Sequence, residues 1–268
     1  MANREIFAPI RRRRMLVFDV ETTGKINKGK PVFEQPHIIQ LSFVVYDLAE
    51  HCVVRSFDSY INIAPDVELN EFICEFTGAS RAKCDAGLDI VDVLKAFYDA
   101  YTWCDGLVAH NIEFDTQLIA FELERNRARF LDVAPYCLSI FNQDLEKVRG
   151  MERYCTMKKG TKMCALPATL AKAFIKLPDI SNKTQTVDPS SNLHSSLMDM
   201  VTIDLAQTPT NVVSPKRTNY KWPKLTELHE KLFGELPTVS HNSMADVNAC
   251  LRCYLKMRHG YDVGTMKV

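Results

Sequence analysis

The segment Met15–Gly24, MLVFDVETTG, constrains the fold of this chain more than any other. Met15, Leu16, Val17, Phe18 and Val20 make an apolar run suited to a strand buried on both faces, yet Asp19 and Glu21 interrupt it. Side chains at i and i+2 of a strand leave on the same face, so the two carboxylates project side by side from the strand's end. At roughly 4 Å apart they would repel by about 4 kcal/mol at an effective dielectric near 20. A fold tolerates such a pair when a divalent cation sits between the charges. Thr22, Thr23 and Gly24 then turn the chain and leave hydroxyls and backbone N–H groups beside the same point. Taken alone, the segment is equally well explained as an ordinary strand ending in an acidic turn.

The 268 residues suffice for one large domain, or for a medium domain carrying an insertion. Lys plus Arg equals Asp plus Glu, 33 against 33, so a polyanion would have to be held by local basic patches. No apolar run approaches the 18 or so residues that span a bilayer, and no hydrophobic signal region opens the chain. These features predict a soluble, unsecreted protein with no membrane contact. The nine cysteines are an odd number scattered through apolar surroundings, which suits buried free thiols in a reducing compartment, cytoplasm or nucleus. Cys250 and Cys253 have C-x2-C spacing, but they fall in a helical pattern with no second pair nearby, which argues against structural zinc.

Four arginines, Arg11 to Arg14, precede the first strand and fit phosphate contact, a nuclear address or a solvated flank. Lys25 to Pro36 reads as a polar connection placed to border a groove. His37–Tyr46 and Val53–Ile63 read as two further strands, completing an early meander. A helix-like stretch from Leu69 to Phe76 stops at Gly78, and a second helix runs from about Ile90 to Trp103. Gly106–Ala109 is a short buried strand. Asn111 then suits a helix N-cap, and Asp115 lies in the first turn of a helix reaching about Arg127. An Asp there also favours the helix dipole without any function. Leu131–Leu138 reads as another strand. Thr156–Lys162 and Pro178–Thr218 lack pattern, and the latter reads as an insertion with one short helix around Ser195 to Ile203. Helices resume from about Pro223 to Phe233 and from about Met244 to His259, the last with Asp246 in its first turn.

Three separated stretches, FDVETTG at Phe18–Gly24, VAHNIEFD at Val108–Asp115 and HNSMAD at His241–Asp246, resemble in order the motifs of the DEDDh, or DnaQ-like, family of 3′→5′ exonucleases. The five-residue spacing of His241 and Asp246 is the mark of that group, and KWPKLTELHEKLFG at Lys221–Gly234 is similar to the family's stretch ahead of its third motif. The resemblance implies an α/β fold of ribonuclease H-like type, a mixed β-sheet with helices on both faces and the metal site at the sheet's edge. It implies one exonuclease domain over 1–268, with a core of about 13–177 and 219–262 around an insertion of about 178–218. The long, Lys-rich turn after Gly24 and the insertion depart from the minimal family pattern.

By that resemblance, Asp19, Glu21, Asp115 and Asp246 bind two Mg²⁺ or Mn²⁺ ions and His241 is the general base, five catalytic residues in all. Thr22, Thr23, Asn111 and Phe114 meet the 3′-terminal nucleotide, with Asn111 as a mere helix cap and Phe114 as a core residue the alternatives. The implied substrate is a single-stranded or frayed 3′ end of nucleic acid, DNA before RNA, released as nucleoside 5′-monophosphates, and the implied setting is a polymerase or replication complex. An exoribonuclease, a non-catalytic scaffold on nucleic acid and a small-nucleotide phosphodiesterase remain open alternatives. Candidate backbone contacts, each equally readable as a solvated face, are Lys25, Lys28 and Lys30; Lys158, Lys159 and Lys162; and Lys216, Arg217, Lys221 and Lys224.

Overall fold

The computed structural model describes residues 13–167, 220–237 and 242–264. The chain divides into a unit of Met1–Leu166 with Tyr220–Val268 and a second unit, Pro167–Asn219. The insertion, the short helix around Ser195 to Ile203, the core residues 168–177, 219 and 238–241 (His241 among them), Arg11, Arg12, Lys216 and Arg217 all lie outside the described residues.

Strand β1 (Arg14–Thr22) pairs antiparallel with β2 (Ile38–Asp47), which pairs antiparallel with β3 (Cys52–Tyr60). On its other side β1 pairs parallel with β4 (Gly106–Ala109), and β4 pairs parallel with β5 (Glu152–Cys155). The order β3-β2-β1-β4-β5 makes a mixed sheet in which β1 is central. Its carboxylates therefore lie at the end of the middle strand, not at the sheet's edge as expected, because the short β4 and β5 add two strands beyond β1. The register of β1 on β2 shifts after Glu21, which faces Gln40, to Thr22, which faces Ile38. Such an irregularity increases the local twist where the acidic side chains emerge.

Alternation along β1 divides the core. Leu16, Phe18 and Val20 face α3 (Ile90–Trp103) and α4 (Ile112–Arg125), among Leu41, Phe43, Leu94, Phe97 and Ile119. Met15 and Val17 face α9 (Ser243–His259), whose Val247, Leu251, Tyr254 and Leu255 cover that side with Val44, Tyr46 and Val108. Each fully buried aliphatic or aromatic side chain contributes roughly 1.5–3 kcal/mol, so both faces depend on their helices. Asp19 and Glu21 continue the phase of Met15 and Val17 and so emerge on the α9 side.

Short helices α1 (Glu71–Thr77) and α2 (Arg81–Asp85) follow the meander, the first ending at Gly78 in the left-handed region with φ 69°. Leu131–Leu138 is not a strand: it spans the end of α5 (Arg127–Val133) and a 3-10 turn at Pro135–Ser139. There Phe130 and Cys137 are buried while Leu131 and Val133 face solvent, a helical phase rather than an alternating one. Helix α6 (Gln143–Arg149) is capped by Asn142, whose side chain accepts from Asp144 and Leu145 N–H. The patternless Thr156–Lys162 is a helix, α7 (Thr156–Cys164), held by packing: Gly160 lies so close to Leu228 that a Cβ there would sit 2.7 Å from Leu228 Cδ1. Leu228 belongs to α8 (Leu225–Phe233). All nine cysteines are free thiols, and Cys52 is exposed and Cys74 half-buried, where burial was expected for each.

Candidate active site

Three carboxylates meet at the end of β1. One ligand oxygen from each of Asp19, Glu21 and Asp246 lies within 4.8 Å of the others. Asp246 reaches them from the first turn of α9, and Ser243 Oγ donates to the Asp19 carbonyl at 2.7 Å, fixing that helix end against the strand. Asn242 caps α9 by accepting from Ala245 N–H at 3.3 Å. The HNSMAD motif thus supplies a cap, a tether and a carboxylate within one turn.

Asp115 approaches from the first turn of α4, following the sharp turn at Asn111, which has φ 76°. Its Oδ1 accepts from Val20 N–H at 3.3 Å, whereas its buried Oδ2 has no hydrogen-bond partner. Burial drives the Asp19 carboxyl well above the usual carboxylate range, helped by the charges of Asp115, Asp246 and Glu21. Burial, then Asp246, pushes Glu21 up to about 7, and burial also raises Asp115. Two helix N-termini favour negative charge here by only about 0.3–1 kcal/mol each. Crowded carboxylates with an orphaned, buried acceptor oxygen fit hard divalent cations, which take oxygen ligands and neutralise the repulsion. His241, the remaining member of the expected set, lies outside the described residues.

The nucleotide-contact candidates divide. Thr22 Oγ1 donates to the Gly24 carbonyl at 2.7 Å, and Thr23 Oγ1 accepts from His37 N–H at 3.0 Å, so both hydroxyls hold the turn. Asn111 occupies the cap position of α4, but its side chain makes no capping bond and lines a cleft beside Phe114. Phe114 lines that cleft and also packs on the main core, as its alternative reading expected.

Three features were not anticipated. His110 Nε2 donates to the Pro223 carbonyl at 3.0 Å, and its Nδ1 lies 3.0 Å from Thr156 Oγ1. Buried Glu122 accepts from Ile38 N–H at 3.2 Å and pairs with Arg125. Arg125 Nη2 in turn donates to the carbonyls of Val32 and Gln35 at 3.0 and 2.9 Å, fastening the far end of the Lys-rich loop to α4. Trp222, where the sequence pattern resumes ahead of α8, stands exposed. Among the lysines, Lys158 is ion-paired with Glu113 and Lys221 with Glu227.

The chain is similar to known proteins in sequence and in fold. Over 116 residues, 42% of the chain, it is 31% identical to the 3′-5′ exonuclease DinG of Bacillus subtilis (strain 168), and it spans 11% of that protein. Over 113 residues, 41% of the chain, it is 33% identical to DNA polymerase III PolC-type of Streptococcus pyogenes serotype M5 (strain Manfredo), spanning 7% of it. The chain thus covers about a tenth of the length of these relatives. The structure of E. coli exonuclease I in complex with a dT13 oligonucleotide superposes on 92% of this chain and 42% of its own, with TM-score 0.53 and 18% identity, a likeness of fold. A model of the RNase_T family, described as Exonuclease, matches residues 16–199, well over half of the sequence. With the ordered acidic motifs now placed at one strand end, the chain belongs to the RNase_T exonuclease family, of the DEDDh (DnaQ-like) type.

Proposed function

We propose that this protein is a metal-dependent 3′→5′ exonuclease that removes nucleoside 5′-monophosphates from unpaired 3′ ends, DNA before RNA. The observation that supports this most directly is the meeting of Asp19, Glu21 and Asp246 within 4.8 Å beside the orphaned Oδ2 of Asp115. These four carboxylates hold two Mg²⁺ or Mn²⁺ ions. Such ions, when bound, lower the pKa of a coordinated water and stabilise an oxygen that departs from phosphorus. Asp19 and Glu21 fix the site on the rigid sheet, Ser243 holds α9 in register, and His241 accepts the proton of the attacking water. Asn111 and Phe114 border the terminal nucleotide, while Thr22 and Thr23 shape the turn whose backbone meets it. The domain comprises about 13–177 and 219–262 around the 178–218 insertion, and it serves a polymerase or replication complex in a reducing compartment. Free thiols suit that compartment, and among the described residues no helix is long and apolar enough to cross a membrane.

The test is digestion of 5′-labelled single-stranded DNA and RNA of one sequence with Mg²⁺, Mn²⁺ or EDTA, for the wild type and for Asp19→Ala. A ladder shortening from the 3′ end, lost in EDTA and in the variant, is expected, with DNA the faster. Faster RNA decay would make the enzyme an exoribonuclease. Binding without degradation would leave a nucleic-acid scaffold.

A further inference from the structure

Gln40, on β2, stands directly opposite Glu21 in the pairing with β1, and Ser42 stands directly opposite Asp19. Paired residues of antiparallel strands project to one face with Cβ atoms about 4.5–5.5 Å apart, so an amide and a hydroxyl flank the two strand-borne carboxylates. One strand further out, β3 contributes Asp58, which pairs with Ser42. Its Oδ1 accepts from Gln40 Nε2 at 2.8 Å and from Ser42 Oγ at 2.6 Å. A carboxylate oxygen takes only donors, so these bonds fix which end of the Gln40 amide is nitrogen and leave Oε1 as the free end. Gln40 is 1% exposed, and that Oε1 has no hydrogen-bond partner. A buried amide oxygen without a donor destabilises the fold, and an apolar side chain of the same length would avoid the penalty. The sequence nevertheless spends an amide here, in a strand that is otherwise largely apolar.

We propose that Gln40 is an outer-sphere partner of the cation held by Asp19 and Glu21: its Oε1 accepts from a water on that ion, and Asp58 is the positioning residue that keeps the amide turned for it. This rests on the reading of the carboxylates as cation ligands. Mg²⁺ bound by few protein oxygens keeps several of its waters, and the protons of those waters need acceptors. An orphaned amide oxygen in register with a ligand residue is such an acceptor. Groups that hold a ligand from outside are worth about 10–100-fold in metal affinity. Asp58 is exposed, is separated from β1 by the whole of β2 and is not one of the three carboxylates that meet within 4.8 Å. It therefore acts through Gln40 and not on the ion.

Titration of the full chain with Mn²⁺ in the absence of nucleic acid, with free Mn²⁺ counted by its EPR signal, reads binding apart from cleavage. The wild type is compared with Gln40→Met, Asp58→Ala and Asp58→Asn, and Asp19→Ala identifies the sites that belong to the cluster. Gln40→Met keeps the length and loses the acceptor, and should raise the Kd for Mn²⁺ about tenfold. Asp58→Ala frees the amide to turn and should weaken binding in the same direction. Asp58→Asn still offers an acceptor to Gln40 Nε2 and Ser42 Oγ, and should bind as the wild type does. Melting in EDTA separates this from misfolding, since Gln40→Met, relieved of a buried orphan oxygen, should melt no lower than the wild type. Wild-type affinity in Gln40→Met overturns the proposal and leaves the cation reading standing. So does equal weakening in Asp58→Ala and Asp58→Asn, which would make charge and not amide orientation responsible. A wild type that binds no Mn²⁺ overturns both. Mn²⁺ binding with the expected order of variants, but without digestion of any oligonucleotide, supports the role of Gln40 and removes the exonuclease reading alone.

Discussion

Asp115 is 2% exposed, receives one backbone N–H on Oδ1 and leaves Oδ2 with none. A buried acceptor without a donor costs about 1–3 kcal/mol, more for a charged group, and the neighbouring carboxylates add repulsion. Asp115→Asn keeps the Val20 contact and removes one charge. In EDTA at pH 7 the variant should melt higher than the wild type, by about 2–4 °C for each kcal/mol relieved, while losing the upward shift that Mn²⁺ gives the wild type. Melting curves with and without Mn²⁺ check this, and a lower melting point in EDTA would mean that the carboxylate is not strained. Of these residues, Asp19 and Glu21 were legible in the sequence, because a spacing of two on an apolar strand fixes their common face. Asp115 is legible only through the order of the motifs, since by itself an acid in a first turn satisfies the helix dipole equally well. The hydroxyls of Thr22 and Thr23 show the opposite limit: sequence placed them beside the site, but the bonds to Gly24 and His37 depend on how β2 returns.

Between elements, His110 joins the end of β4 to α7 through Thr156 and to the Trp222 segment through Pro223. Burial pushes its pKa down to about 4, only partly offset by the bond to the Pro223 carbonyl. A histidine depressed in the folded state contributes stability that is fully present above its unfolded pKa near 6.5 and is lost as pH falls towards 4. The linkage amounts to about 3 kcal/mol over that window. Denaturant titrations between pH 7.5 and 4.5 should therefore show declining stability in the wild type, and His110→Gln should reduce the slope by about one proton. An identical slope in the variant would place the proton elsewhere, His37 being depressed to about 4 as well. Elements with an apolar stripe, such as α3 and α9, were readable from periodicity. Helix α7 buries one face, Thr156, Met157, Gly160 and Cys164, but with few large apolar side chains to reveal it, and β5 is too short to show a period. Helix α7 is fixed by a glycine meeting Leu228, and β5 is four residues, ERYC, with charges at its exposed edge.

Across the whole molecule, positive and negative side chains cancel, so attraction of a polyanion has to come from individual lysines. Each phosphate neutralised on a single strand contributes about −0.7 to the slope of log K against log salt. If oligonucleotide phosphates are held by Lys25 and Lys28, which have no ion-pair partner among the described residues and line the cleft beside Phe114, binding should show a slope near −1.4, and Lys25→Ala/Lys28→Ala should bring it close to zero. A slope steeper than about −3 in the wild type would mean that a wider basic surface takes part. The sheet order also sets the timing of assembly. Asp19 and Glu21 belong to the first strand, but Asp246, the Ser243 tether and the apolar cover over Met15 and Val17 belong to the last helix. During synthesis, a ribosome has to release more than two hundred residues after β1 before the carboxylates can close on one another. A nascent chain that stops short of α9 therefore carries an incomplete acidic cluster and an uncovered sheet face, so the gathering of the carboxylates and the sealing of that face are completed in one event, when α9 emerges.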